Sequence, residues 1–358
     1  MPVDKQQTPL DNIRAIYNTP LFDLLDRARD THRRHWPQNQ LQLCTLLSIK
    51  TGGCSENCAY CSQSAHFDTG LTKQPLLAAE QIEQHARAAR DAGATRFCMG
   101  AAWRGISHDS PQFPEVLEAV RRVRALGLEA CVTLGSLTCE AAQQLKQAGL
   151  TAYNHNIDTS PEHYPNIVTT HTFADRLRTI SYVQQAGISV CCGGILGMGE
   201  SEEDRLRMLQ QLTGFDPAPE SIPINVLVPI PGTPLENAAP VPPLQLIRLI
   251  ATTRILFPKA KVRLSAGRTT MSRELQTLAL YAGANSIFYG DRLLTTPNPE
   301  SDDDLHWIRQ LDLKPEPPDQ HTQPHLANRL FPNQDHHACA HQTLHTEHNS
   351  NITTTPAA

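Results

Sequence analysis

Between about residues 41 and 290, apolar and polar positions follow one repeating scheme: a short apolar run, a loop, then an amphipathic segment. The apolar runs fall at 43–49, 96–101, 129–134, 151–157, 188–193, 223–228, 261–265 and 285–289. Each has the length and composition of a buried strand. Between most of them apolar residues recur at helical spacing, as in the segments 77–92 and 114–126. In the second, Val116, Val120 and Val123 form one face, and Pro114 stands where a first helical residue would. Five helical segments end on the same signature: Ala92-Gly93, Leu126-Gly127, Ala148-Gly149, Ala186-Gly187 and Ala282-Gly283. Glycine past a helix end permits a left-handed cap, and here a strand follows at once. Eight strands alternating with helices predict an α/β protein with a parallel sheet, and eight is the number that closes a (β/α)8 TIM-type barrel.

Residues 1–40 are polar, with one helical pattern around Leu21, Leu24 and Leu25. They read as an N-terminal helical extension outside a barrel of residues 41–314. From 315 to 358 periodicity vanishes and Pro, Gln, His, Asn and Thr dominate. Such a composition cannot bury enough surface to offset its ordering entropy, so a low-complexity, disordered tail is expected.

Composition narrows the class. A formal charge of −5 counts against a nucleic-acid partner. The longest apolar run is shorter than a membrane span, and the start lacks an apolar signal core. The expectation is a cytoplasmic enzyme with no membrane partner. In that setting ten cysteines point to metal or catalysis rather than to disulfides.

Three of these thiols, Cys54, Cys58 and Cys61, fall within eight residues directly after the first strand, and Gly52-Gly53 free the backbone there. Zinc sites usually draw four closing ligands in pairs. Three thiols suit an iron–sulfur cluster with one iron left open, while a zinc site borrowing a distant fourth thiol stays as the alternative. The spacing, with the aromatic Tyr60 before the last cysteine, resembles that of the radical S-adenosylmethionine (SAM) enzymes.

Further thiols sit on strands: Cys44 on the first, Cys98 on the second, Cys131 on the third, and Cys191 or Cys192 on the fifth. One buried cysteine is a small hydrophobe by default. Several from different strands facing one lumen point to a second metal site. Adjacent Cys191 and Cys192 face opposite ways, so only one of them is a ligand. Cys139, on a helix, reads as structural. Arg263 lies mid-strand among apolar neighbours, which requires a charge partner, either an anionic cluster or an inward acid such as Asp158. Asn154, Asn156 and Asp158 alternate onto one face at the carboxyl end of strand four, where barrel enzymes place their sites. His155 faces the other way and reads as a packing residue. The glycine-rich stretch 193–200 lets backbone approach a ligand, and Asn225 is a single amide in an apolar strand.

Taken together, Thr45–Thr51, the three-cysteine loop, Tyr153–Ser160, Val262–Arg268, Ala284–Gly290 and Leu293–Pro299 resemble the biotin synthase family over about residues 41–310. The resemblance implies a (β/α)8 homodimer that inserts sulfur into dethiobiotin, with flavodoxin or ferredoxin as electron donor. It implies a [4Fe-4S] cluster on Cys54, Cys58 and Cys61, with SAM on the open iron. It also implies a [2Fe-2S] cluster on Cys98, Cys131 and Cys191, with Arg263 as fourth ligand, which replaces its reading as a charge partner. Asn156, Asp158 and Asn225 match contacts to dethiobiotin and SAM. Tyr60, Gly197, Gly199, Glu200 and Val228 match the SAM surroundings. No acid–base residue is implied. Departures are small: Ser55 and Asn57 stand where the family often has Pro and Asp, and Cys44 where Ser also occurs. Another radical SAM enzyme, or a non-enzymatic iron–sulfur or zinc module, is the rival reading.

Overall fold

The computed structural model describes residues 7–37, 39–290 and 292–317. Its centre is a closed parallel barrel. The strands are β1 (Gln40–Lys50), β2 (Arg96–Ala101), β3 (Glu129–Thr133), β4 (Ala152–Asn154), β5 (Ser189–Cys191), β6 (Ser221–Val226), β7 (Lys261–Leu264) and β8 (Ser286–Phe288). Neighbours pair in that order. β8 pairs with β1 through Gln42 opposite Ser286, and β6 pairs with β7, so the ring of eight strands closes.

The eight expected strands are all present, with two differences. The fourth is shorter than 151–157. Asp158 takes φ +65° and bridges Gly194, so residues 155–158 leave the ladder and curl over the barrel mouth. The fifth is split, resuming at Gly194–Leu196 against β6 with the same offset. Gly193 makes the break feasible: a Cβ there would lie 2.0 Å from the Pro223 carbonyl oxygen.

Helices cover the outside. α1 (Leu10–Tyr17) and α2 (Leu21–His35) precede the barrel, and α2 packs on α8 (Pro243–Leu256). The sequence pattern predicts only the second, because α1 buries just Ile13 and Tyr17, too few for a visible stripe. The other helices are α3 (Ala79–Asp91), α4 (Phe113–Ala125), α5 (Cys139–Gln147), α6 (Phe173–Gln185), α7 (Glu202–Thr213), α9 (Arg273–Tyr281) and α10 (Ser301–Gln310). All five glycines of the repeated helix-end signature take positive φ, from 67° at Gly187 to 117° at Gly283. The first residues of α6 and α7 are fixed by reciprocal caps, Thr172 with Asp175 and Ser201 with Asp204.

Lys314–Pro315 adds a short parallel pairing to the start of β1, and Lys261 Nζ lies 2.5 Å from Glu316. The polar tail beyond 317, with its histidines and Cys339, lies outside the described residues.

Candidate functional site

Inward positions alternate along each strand, and register stacks them into layers. In β1 these are Gln42, Cys44 and Leu46; Leu46 stands opposite Cys98, and Cys98 opposite Cys131. Cys191 enters beside Asn154. The interior is therefore sulfur-lined at mid-height where a barrel is normally filled with branched aliphatics.

Cys98, Cys131 and Cys191 are buried and hydrogen-bonded in a row through Cys131. That bonding, helped by the nearby Arg263 and Arg96, holds Cys98 and Cys191 below the ordinary thiol range. The same bonds, with burial, hold Cys131 well above it. Cys191 Sγ also accepts from Asn154 Nδ2 at 3.4 Å and faces Arg263 Nη1 at 3.6 Å. Cys192 turns the other way into the apolar core, so geometry separates the adjacent pair.

Arg263 is 1% exposed and makes no ion pair with Asp158. Its Nε donates to Ser286 Oγ at 2.9 Å, its Nη2 approaches Gln42 Oε1 at 3.3 Å, and it lies over the Phe288 ring. Burial alone would lower its pKa, but Cys44 and Cys191 outweigh it and hold the charge in place. Beneath this layer Arg96 bridges Glu129 at 2.5 Å and Glu220 at 2.9 Å, forming a charged floor.

Above the sulfur layer, the loop of Cys54, Cys58 and Cys61 closes over the mouth. Burial raises all three thiols, Cys61 to about 11. Ionising them inside the loop therefore calls for a positive body among them. Both thiol sets open onto one cavity of about 350 Å³. Among the described residues, no three His, Cys, Asp or Glu side chains converge on a single metal ion.

Asn154, Asn156, Asp158, Asn225, Tyr60 and Val228 all reach the cavity wall. Asn156 Oδ1 accepts from Gly193 N at 3.1 Å, and Asn225 spans the Gly194 carbonyl and the Ala266 amide. Asp158 is 2% exposed, accepts from Tyr60 OH at 3.1 Å and pairs with Arg176 at 3.0 Å. Burial raises its pKa despite that partner.

The Asp158–Arg176 pair is absent from the sequence reading, which offered Arg263 as the partner. Arg176 stands on an amphipathic helix, where an arginine looks like a solvated residue. A hydrogen-bonded chain runs on from it to Tyr164 OH (2.7 Å), His171 Nε2 (2.7 Å) and, from His171 Nδ1, Glu56 (2.6 Å). The chain ties the cysteine loop at Glu56 and Tyr60 to the strand-four extension.

Gly197, Gly199 and Glu200 are not on the cavity wall. The Glu200 carboxylate is taken up by Gly197 N (2.9 Å), Met198 N (2.7 Å) and Arg205 Nε (2.7 Å), so these residues brace the loop from behind. His155 is buried as expected, although its Nε2 has no hydrogen-bond partner among the described residues.

The Radical SAM superfamily model matches residues 48–212, and the Biotin and Thiamin Synthesis associated domain matches 223–314. Biotin synthase of Gloeobacter violaceus is 58% identical over 306 residues, covering 86% of this chain and 96% of that protein. The chain belongs to the biotin synthase family. Its membership carries the radical SAM framework and the sulfur-inserting class of activity. Biotin synthase of Sorangium cellulosum is 56% identical over 304 residues, covering 85% of this chain and 87% of its own. Among solved structures, methylornithine synthase superposes with a TM-score of 0.72 at 19% identity, covering 87% of this chain and 95% of its own. The FeFe-hydrogenase maturase from Carboxydothermus hydrogenoformans gives 0.73 at 17%, covering 87% and 76%. Those two share the barrel and say nothing of the biotin synthase substrate.

Proposed function

We propose that this member of the family converts dethiobiotin to biotin in the cavity between the two thiol sets. Cys54, Cys58 and Cys61 hold a [4Fe-4S] cluster with one iron free for SAM, and Cys98, Cys131 and Cys191 hold a [2Fe-2S] cluster with Arg263 as fourth ligand. When bound, the first cluster supplies the electron that cleaves SAM to a 5′-deoxyadenosyl radical, and the second supplies sulfur.

The chain's own residues bind, orient and exclude water. Tyr60 and Val228 wall the SAM space; Gly197, Gly199 and Glu200 hold the loop behind it. Asn156, Asp158 and Asn225 present amide and carboxylate groups suited to the ribose of SAM and the ureido ring of dethiobiotin. Arg263 and Arg96 offset the negative charge that thiolates and sulfides bring into a buried site. No side chain is called on as general acid or base. An external one-electron donor such as flavodoxin or ferredoxin, and a homodimer, complete the proposal.

The observation that carries it is the convergence of two separate thiol trios, one from a loop and one from three strands, on a single cavity. The test is anaerobic: chain reconstituted with iron and sulfide, then SAM, a strong reductant and dethiobiotin, with mass spectrometry of products. Biotin and 5′-deoxyadenosine are expected, both lost in Cys54→Ala and biotin alone lost in Cys98→Ala. Deoxyadenosine without biotin from the unaltered chain rejects the substrate. Neither product from cluster-loaded chain rejects the reading.

A further inference from the structure

We propose that Cys44 is a reserve ligand of the second cluster, able to occupy the coordination position given to Arg263. The inference rests on the reading of Cys98, Cys131 and Cys191 as cluster thiolates.

Cys44 is fully buried on the inward side of β1, one inward position below Leu46, which stands opposite Cys98. A cysteine kept for packing would sit among aliphatic side chains, as Cys192 does. Cys44 belongs to none of the apolar clusters among the described residues. Its Sγ donates to Gln42 Oε1 at 3.4 Å and lies 3.5 Å from Ser286 Oγ. These same two groups hold Arg263, through Nε to Ser286 Oγ at 2.9 Å and Nη2 to Gln42 Oε1 at 3.3 Å. Ser286 and Gln42 bond each other at 3.0 Å, so the thiol and the guanidinium share one polar platform. Arg263 extends from it to Cys191.

Three thiols and Arg263 line the cavity, and Cys44 shares the Arg263 platform from outside its wall, so a cluster that takes four protein donors has a fifth candidate next to its arginine. Thiolate is the softer and more strongly bound donor for iron, whereas guanidinium is held by its surroundings. Removing Arg263 leaves Gln42 and Ser286 bonded to each other and takes away the side chain that shares them with Cys44 and extends to Cys191. Binding then forms one iron–sulfur bond as Cys44 gives its proton to solvent, with no change in oxidation state.

The test uses the full chain carrying Cys54→Ala, Cys58→Ala and Cys61→Ala, so that only the second cluster is reconstituted. Iron, acid-labile sulfide and the Mössbauer spectrum are measured. Arg263→Met is expected to keep its cluster with an altered, all-thiolate spectrum. Adding Cys44→Ser to it is expected to cut bound iron and sulfide by about tenfold or more. Cys44→Ser alone is expected to match the parent. Arg263→Lys, which keeps the buried charge, replaces Arg263→Met if the latter does not fold, with the same pair of expectations. In the Arg263 variants, equal cluster content with and without Cys44, or loss of the cluster while Cys44 is present, overturns the proposal. A Cys98→Ala control that also carries Cys44→Ser and still retains full cluster instead overturns the underlying assignment of the thiolates.

Discussion

The Asp158–Arg176 pair at the cavity wall should fail asymmetrically when one partner is removed. Asp158 is 2% exposed, and the Arg176 side chain is 13% exposed, at a separation of 3.0 Å. Breaking such a pair by deleting one charge typically costs about 3–5 kcal/mol, because the other charge stays buried and unpaired. The two survivors differ. Arginine cannot shed its proton, so Asp158→Asn leaves a buried cation that persists at every pH. Arg176→Met leaves a carboxyl whose pKa burial already raises, and which rises further without its partner. A group with a raised folded-state pKa gives stability at low pH that is lost as pH climbs through that value. The cost of Arg176→Met should therefore be smaller at the lower of two pH values and grow toward the higher. Urea unfolding of both cluster-loaded variants under anaerobic conditions at the two pH values measures this. A pH-independent cost for Arg176→Met, or one that shrinks as pH rises, refutes the reasoning.

Other expectations follow from particular positions. Gly193→Ala puts a Cβ 2.0 Å from the Pro223 carbonyl and should cost about 3 kcal/mol or more, separating the split fifth strand from β6. Gly93→Ala, with positive φ but open space, should cost only about 1–2 kcal/mol in the same urea assay. His32 is held down to about pKa 4, first by burial and then by Arg254. Its contribution is complete above the unfolded value near 6.5 and fades as pH falls toward 4. Wild type should lose about 2–3 kcal/mol over that window relative to His32→Gln, read from urea midpoints. Asp304→Asn should lower the urea midpoint by the equivalent of about 3–5 kcal/mol, since Asp304 pairs with Arg268 where both are fully buried. Glu118→Gln, at an exposed pair with Arg122, should leave the midpoint unchanged.

Much of the barrel was legible because its signals are local. Helix ends on glycine mark where strands begin, and Cys98, Cys131 and the adjacent Cys191 and Cys192 stood out because thiols are rare inside barrels, the fold then turning Cys191 inward and Cys192 into the apolar core. What escaped was set by contacts distant in sequence. Arg176 has the helix pattern of a surface residue, and only the fold carries it under Asp158. Arg96, Glu129 and Glu220 sit at strand starts, where charges pass for loop residues, yet register joins them into a floor. The split at Gly193 depends on a carbonyl thirty residues away, which no local pattern encodes. The resemblance puts Glu200 in the SAM surroundings without saying how its carboxylate is held, and the fold turns it back onto the amides of its own loop.

The seam of the barrel joins the first strand to the last. Gln42 pairs with Ser286, and Gln40 with Lys314. During synthesis β1 leaves the ribosome early with one edge unpaired, and its partner emerges more than two hundred residues later. At about 5–20 residues per second that edge stays open for some tens of seconds. An open, apolar parallel edge invites pairing with another chain. Cys98, Cys131 and Cys191 are translated before Arg263, Ser286 and the closing strand exist. The nascent chain therefore exposes these thiols before it has a closed interior, so a cluster held as proposed would be loaded only after release.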